Sequence, residues 1–314
     1  MLVEWHPKRL WYCDTTIRRH GFDCLHRMIV VKRADGTLII INPVELTTQL
    51  QLVLSDLGLI KQICITSPTY HPTLSEWWLA YSEAQFLATP TVIQQRSDLH
   101  FDDALSSQTH KSLQGELLQT SLLGSKSPRK VIFCDPQSRT LILPDLLLAN
   151  QPHLPLPQRL ITVIFGAGKS IVFPFSDRTQ FERMSLLRAS IQEVLTWPIE
   201  HIISSNGLTV GKDGKNAFYQ AFRWAFFPTK SFQLILITQL IFAFVKCIQI
   251  QIGKKLSPRA QFFLHFRIMQ FPFCKSLQNV KQIAYCVDLI VSSCSRFIDH
   301  CHKNESDKRN VINI

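Results

Sequence analysis

The sequence predicts a layered α/β protein on three observations. Apolar runs of strand length alternate with amphipathic helical stretches between residues 28 and 226. From Met28 to Ala88 the order is strand, strand, helix, strand, loop, helix, strand, which sets parallel neighbours within a sheet. The stretch from Lys130 to Asp145 carries two wholly apolar runs around a tight turn, as strands do when both faces are covered.

Met28 to Arg33 and Thr37 to Ile41 flank Asp35-Gly36, a strong hairpin signal. Leu46, Leu50, Val53, Leu54 and Leu57 recur at i, i+4, i+7, i+8 and i+11, so a helix follows, with Gly58 as its C′ stop. Ile60 to Ile65 is the next strand, and Ser67-Pro68-Thr69-Tyr70-His71-Pro72 is the loop leaving its C-terminal end. A short helix carrying Trp77 and Trp78 leads to the strand Gln85 to Ala88. Residues 97–127 are polar and weakly patterned, apart from one strand near Leu117 to Leu122. Val131 to Cys134 and Thr140 to Leu143 are joined by the turn Asp135-Pro136-Gln137-Ser138, in which Pro136 presets φ. The second of these strands is central, and Asp145 stands where it leaves the sheet.

Residues 151–176 are a Pro-rich connection. Asp177 and Gln180 have the spacing of a capping box for a helix that runs to about Thr196 and is closed by Pro198. His201 to Ser204 is a further strand, Asn206-Gly207 turns at its end, and Lys215 to Phe226 is a helix that stops before Pro228.

Past Pro228 the α/β rhythm ends and Phe, Ile, Cys, Ser and Lys dominate. The chain therefore divides into a domain at 1–228 and a basic, hydrophobic, mainly helical extension at 229–314. The formal charge is +11, and the extension holds 12 of the 34 basic residues but only 4 of the 23 acidic ones, so the domain itself is nearly balanced. Cys64 and Cys134 lie in apolar strands and are expected as reduced core residues. The odd total of 9 cysteines and a start that carries Glu4, His6, Lys8 and Arg9 in place of a secretory apolar core point to the cytoplasm.

Several motifs weaken on inspection. Gly166-Ala167-Gly168-Lys169-Ser170 ends like a phosphate-binding loop, but Val163 stands at the first glycine position and Ile171-Val172-Phe173-Pro174 cannot open the required helix. Cys294 with His300-Cys301-His302 offers metal-ligating residue types, yet adjacent residues point in different directions on a helix. The charge-free run Phe232 to Val245 falls short of the roughly 20 apolar residues a membrane span needs. It suits a helix covering the domain or, with Lys254, Lys255 and Arg259, membrane contact through residues 232–250. No interleaved aromatic and basic stripe signals nucleic acid. His71, Asp145 and Asn206 remain. Each follows the C-terminal end of a predicted buried strand, the edge at which open α/β sheets bind ligands.

Residues of about 5–226 resemble the metallo-β-lactamase superfamily and, within it, the branch known as the DUF4336 family. The match rests on Arg27-Met28 and the Asp35-Gly36 hairpin, the loop from Pro68 to Trp77, and Ser138-Arg139-Thr140-Leu141-Ile142-Leu143-Pro144-Asp145. Asp177-Arg178 and the stretch from Trp197 to Gly207 complete it. The resemblance implies a four-layer αββα sandwich with any metal site along one edge. The superfamily binds one or two metal ions through an HxHxDH loop, a later bridging Asp and His residues elsewhere. Laid on Thr69-Tyr70-His71-Pro72-Thr73-Leu74, that loop keeps only His71, while Thr69, Thr73 and Leu74 fill its other ligand positions. Asp145 matches the bridging Asp, and Asn206 stands where a late His is expected.

Catalytic zinc usually takes three protein ligands and one open position, and an amide oxygen is a poor substitute for imidazole. The first reading is therefore a degenerate domain that has lost the metal site, a binding or non-catalytic protein with no cofactor. A second is a metal-dependent hydrolase with a rearranged mononuclear zinc site at His71 and Asp145 and a third ligand, such as His110 or His153, from a loop. A third is a membrane-associated protein that works through its extension. No substrate, ligand or partner can be named from the sequence.

Overall fold

The computed structural model describes residues 1–19, 22–70, 72–126, 130–149, 171–178 and 180–227. Among them the first sheet runs in sequence order: β1 (Leu2–His6), β2 (Leu10–Arg19), β3 (Phe22–Lys32), β4 (Leu38–Ile41), β5 (Ile60–Ile65), β6 (Gln85–Ala88) and β7 (Asp103–Ala104). β1 to β4 pair antiparallel, and β4 to β7 are parallel. Helix α1 (Thr48–Leu57) links β4 to β5, and α2 (Leu74–Ala80) links β5 to β6; α3 (Pro90–Gln95) follows β6. The second sheet is built from β8 (Leu118–Ser121), β9 (Val131–Asp135), β10 (Thr140–Leu143), β11 (His201–Ser204) and β12 (Thr209–Val210), in the order β12-β11-β10-β9-β8. β10 is central, as its apolar run predicts, antiparallel to β9 and parallel to β11. Helices α4 (Met184–Thr196) and α5 (Gly214–Phe226) belong to the same half of the chain.

Strand parity builds the layers, because successive side chains of a strand face opposite ways. Leu38 and Ile40 turn outward with Ile63 and Ile65 and pack against Leu50, Leu54, Leu74 and Trp77 of α1 and α2. Ile39 and Ile41 turn inward with Cys64 and Leu87 and meet Val131, Phe133, Ile142 and Ile203 of the second sheet. The other parity of that sheet, Ile132, Cys134, Leu141 and Leu143, packs under Leu187, Ile191 and Val194 of α4 and Phe218 and Phe222 of α5. Helix, sheet, sheet, helix is the four-layer αββα sandwich.

Several local expectations shift. The capping box at Asp177 and Gln180 does not open the helix. Asp177 sits in a single helical turn, Phe175–Arg178, and α4 starts at Met184 after Arg183, which makes no side-chain cap. The intervening chain is drawn into extended pairing: Phe181 bridges Ser125, and the Gly124 carbonyl accepts the N–H groups of both Glu182 and Arg183. Gly58 ends α1 with φ 161°, an extended backbone, and its N–H donates to the Leu54 carbonyl. Glycine is needed there because an added Cβ would lie 2.3 Å from the Gly36 carbonyl oxygen. Asp135 is the last residue of β9, so the loop is residues 136–139, with Arg139 at φ 53°. β1, β2, β7, β12 and α3 have no counterpart in the sequence reading.

The chain divides into two compact units, Met1–Thr238 and Gln239–Ile314, and every described residue belongs to the first. Residues 151–170 with Gly166 to Ser170, the run Phe232 to Val245, and Cys294 with His300, Cys301 and His302 lie outside the described residues. No helix among the described residues is long and apolar enough to cross a membrane.

Polar joints tie the sheets together at both ends of β9. At its C-terminal end the buried Arg9 guanidinium donates to Asp135 Oδ1 at 2.8 Å, Glu116 Oε2 at 2.9 Å and the Lys32 carbonyl at 2.7 Å. Burial alone would lower the Arg9 pKa, but its bonds to Asp135 and Glu116 outweigh that and leave it raised. At the N-terminal end the joint is Asn42, fully buried just after β4 in the left-handed region at φ 53°. Its Nδ2 donates to Thr66 Oγ1 at 2.7 Å and Ser205 Oγ at 2.8 Å, and its Oδ1 accepts from the Thr66 N–H at 2.9 Å. Backbone bonds run beside it, from Val131 N–H to the Thr66 carbonyl at 2.9 Å and from Arg27 N–H to the Ser205 carbonyl at 2.8 Å.

Trp77 is wholly buried between α2 and the first sheet, and its indole N–H donates to the Val44 carbonyl at 2.6 Å. Trp77→Ala should therefore cost about 3–5 kcal/mol in urea unfolding; a loss under about 1 kcal/mol would contradict this packing. Asn42→Gly keeps the left-handed backbone and removes the side-chain bonds, so it isolates the joint. It should cost at least about 2 kcal/mol, since buried groups left without partners cost roughly 1–3 kcal/mol each. Stability equal to that of the parent chain would show that the joint contributes nothing.

Candidate functional site

The C-terminal ends of β4, β5, β10 and β11 meet the start of β9 at one edge, and Asp145 lies there, carried past β10 by Pro144. Its Oδ1 accepts the Ser67 hydroxyl at 2.9 Å and its Oδ2 the Thr69 hydroxyl at 2.7 Å. Lys130, immediately before β9, donates from Nζ to the Asp145 carbonyl at 2.9 Å and stands 3.3 Å from Oδ1. The local chain explains the reach from β5. A 3-10 turn over Pro68–Tyr70, closed by the Tyr70 N–H on the Ser67 carbonyl, brings both hydroxyls to the same carboxylate.

His71 lies outside the described residues. The other positions that the resemblance assigns to metal ligands are filled otherwise. Thr69 is bonded to Asp145, and Thr73 donates to the Pro43 carbonyl at 3.3 Å. Leu74 is part of the outer core. Asn206 donates to the Leu147 carbonyl at 2.8 Å and accepts the Leu208 N–H. His110 is engaged with Ser112 through Nδ1 and with Asp103 through Nε2, while His153 lies outside the described residues. A further histidine reaches the edge from β3: buried His26 stacks on Tyr70 at 4.7 Å and its Nε2 donates to the Asn42 carbonyl.

Among the described residues, no group of three or more His, Cys, Asp or Glu side chains could hold a metal ion. Around Asp145 stand two hydroxyls that donate to it and an ammonium, and an ammonium has no lone pair with which to ligate. This set of donors, taken from the described residues, does not by itself fit a divalent metal. Nor does it make Ser67 a nucleophile, because that side chain is fully buried and its hydroxyl donates to Asp145. The thiols of Cys64 and Cys134 are equally withdrawn: burial pushes the Cys64 pKa up, and burial with the nearby Asp135 charge pushes that of Cys134 up to about 12.

Asn42 and Thr66 obey the same strand-end rule that picks out Asp145, so their position was legible in the sequence. Ser67, two residues past β5, follows the same rule, but its bond to Asp145, 78 residues away, was not legible; Lys130 precedes β9, outside the rule, and meets Asp145 across a hairpin 15 residues on.

No protein-family model and no curated protein matches the chain. Solved structures do. The metallo-β-lactamase TMB-1 superposes with a TM-score of 0.51 at 13% identity, over 71% of this chain and 98% of that one. VMB-1 gives 0.50 at 14% identity, over 72% and 97%. FIM-1 from Pseudomonas aeruginosa, in its mono-zinc form, gives 0.50 at 10% identity, over 72% and 95%. Identities this low speak for architecture alone, and with the layer order they show that the chain has the metallo-β-lactamase fold.

Proposed function

We propose that this chain is a metallo-β-lactamase-fold protein that keeps the scaffold without the metal chemistry and acts as a binding or non-catalytic protein. One observation carries the reading: both oxygens of the Asp145 carboxylate are engaged by hydroxyl donors, with the Lys130 ammonium beside them. A carboxylate committed in this way offers a metal little, and one imidazole at His71 could not make up the rest of a zinc ligand set. Membership of the DUF4336 branch is part of the same proposal. It is supported by the run from Ser138 to Asp145, in which Ser138 caps Asp135 through its N–H and hydroxyl and Arg139 pairs with Glu200. The cytoplasmic assignment is supported by the free thiols of Cys13, Cys24, Cys64 and Cys134.

Zinc should therefore be substoichiometric in protein purified without chelator, and a chelator should leave the melting temperature unchanged. A ligand bound to the native state alone adds RT ln(1 + [L]/Kd), so tight zinc could not escape this measurement. One equivalent that survives dialysis and is lost on both His71→Ala and Asp145→Ala would replace this reading with the rearranged mononuclear hydrolase.

The proposal also assigns the fold to the domain at 1–228. A chain ending at Phe227 should be soluble and melt cooperatively. If only a chain ending at Thr238, the limit of the first compact unit, behaves so, the added residues belong to the body.

A further inference from the structure

We infer that Lys130 is the resident cation of this edge: its ammonium, held against Asp145, keeps divalent metal ions from that carboxylate. The inference rests on the proposed loss of the metal site and assigns the shielding of Asp145 to one side chain. Lys130 is fixed from two directions. Its backbone is placed by the next residue, whose N–H (Val131) donates across the sheets to the Thr66 carbonyl at 2.9 Å. Its ammonium is tethered to the Asp145 carbonyl at 2.9 Å, a bond that does not depend on the carboxylate. The 3.3 Å approach to Oδ1 follows from that tether. The carbonyl bond thus keeps the ammonium close to Oδ1.

Charge counts the same way. Asp145 is the one acid that pairs with Lys130 among the described residues. A divalent ion placed on Asp145 would sit against the retained ammonium, and no group of three or more His, Cys, Asp or Glu side chains among the described residues stands ready to hold it. Thr69 completes the arrangement. Its hydroxyl holds Oδ2 at 2.7 Å, so each carboxylate oxygen already accepts a hydrogen bond that an incoming ion would have to compete with. Ser67, fully buried, holds Oδ1 from the other side at 2.9 Å.

The experiment uses the full chain and zinc competed against a chromogenic chelator, with the parent, Thr69→His, Lys130→Met and the double variant. Thr69→His supplies an imidazole beside Asp145 and should gain little while Lys130 remains. In the Lys130→Met background the same change should raise zinc affinity at least about tenfold more, the scale on which neighbouring groups tune metal affinity. An equal gain in both backgrounds would overturn the inference. Should the double variant fail to fold, a second cycle decides. Lys130→Met and Asp145→Asn, singly and together, should show about fivefold or greater coupling in the unfolding equilibrium constant; additive effects would overturn the inference. A parent chain that itself holds one equivalent of zinc refutes the proposed loss of the metal site, whereas missing coupling in a zinc-free parent refutes only the role of Lys130.

Discussion

The rest of the edge depends on the Asn42 amide. It is buried, left-handed, and the only side chain described here that bonds to Thr66 after β5 and Ser205 after β11 at once. Two sheets packed through Ile39, Ile41, Phe133, Ile142 and Ile203 could slide on one another, since apolar contact is not directional. The amide, with the Val131 to Thr66 and Arg27 to Ser205 backbone bonds, sets their register at one end. Arg9 does so at the other through Asp135 and Glu116. Buried polar joints of this kind add modest net stability, but a missing partner is costly, so they select one arrangement over its neighbours.

The same geometry decides what the edge can do. Oxygen and nitrogen atoms are plentiful there, yet they are turned toward one another. Hydroxyls donate to Asp145, Asn42 and His26 satisfy backbone carbonyls and hydroxyls, and Asn206 serves Leu147. A metal centre needs lone pairs pointed at a common empty position. The fold shared with TMB-1 and VMB-1 places this edge, and the side chains on it decide its chemistry.

What was legible in the sequence is what parity and period encode. Runs such as Leu38 to Ile41 and Thr140 to Leu143 have no polar face, so they had to be covered on both sides, and they are. Trp77 falls with Leu74 on the buried face of the short helix that the sequence places after the loop. β2 was hidden because Asp14, Thr15 and Thr16 interrupt its apolar residues. Asp14 is accounted for only by Arg27 on the next strand, at 2.6 Å. The capping-box spacing at Asp177 misled because local preference was outcompeted by pairing with Gly124 and Ser125. At the site, the strand-end rule located Asp145 but could not say what would face it, since that is settled by contacts between remote segments.

The two sheets are contiguous in the chain, the first complete by Ala104 and the second beginning at Leu118. All that joins them is long-range: Asn42 to Ser205 spans 163 residues and Arg9 to Asp135 spans 126. During synthesis the first sheet can assemble while its partner is still unmade, with Ile29, Val31, Ile39, Ile41 and Leu87 bare on the inner face. The sandwich thus carries a period of exposed apolar surface in its own folding history, set by the order of its strands.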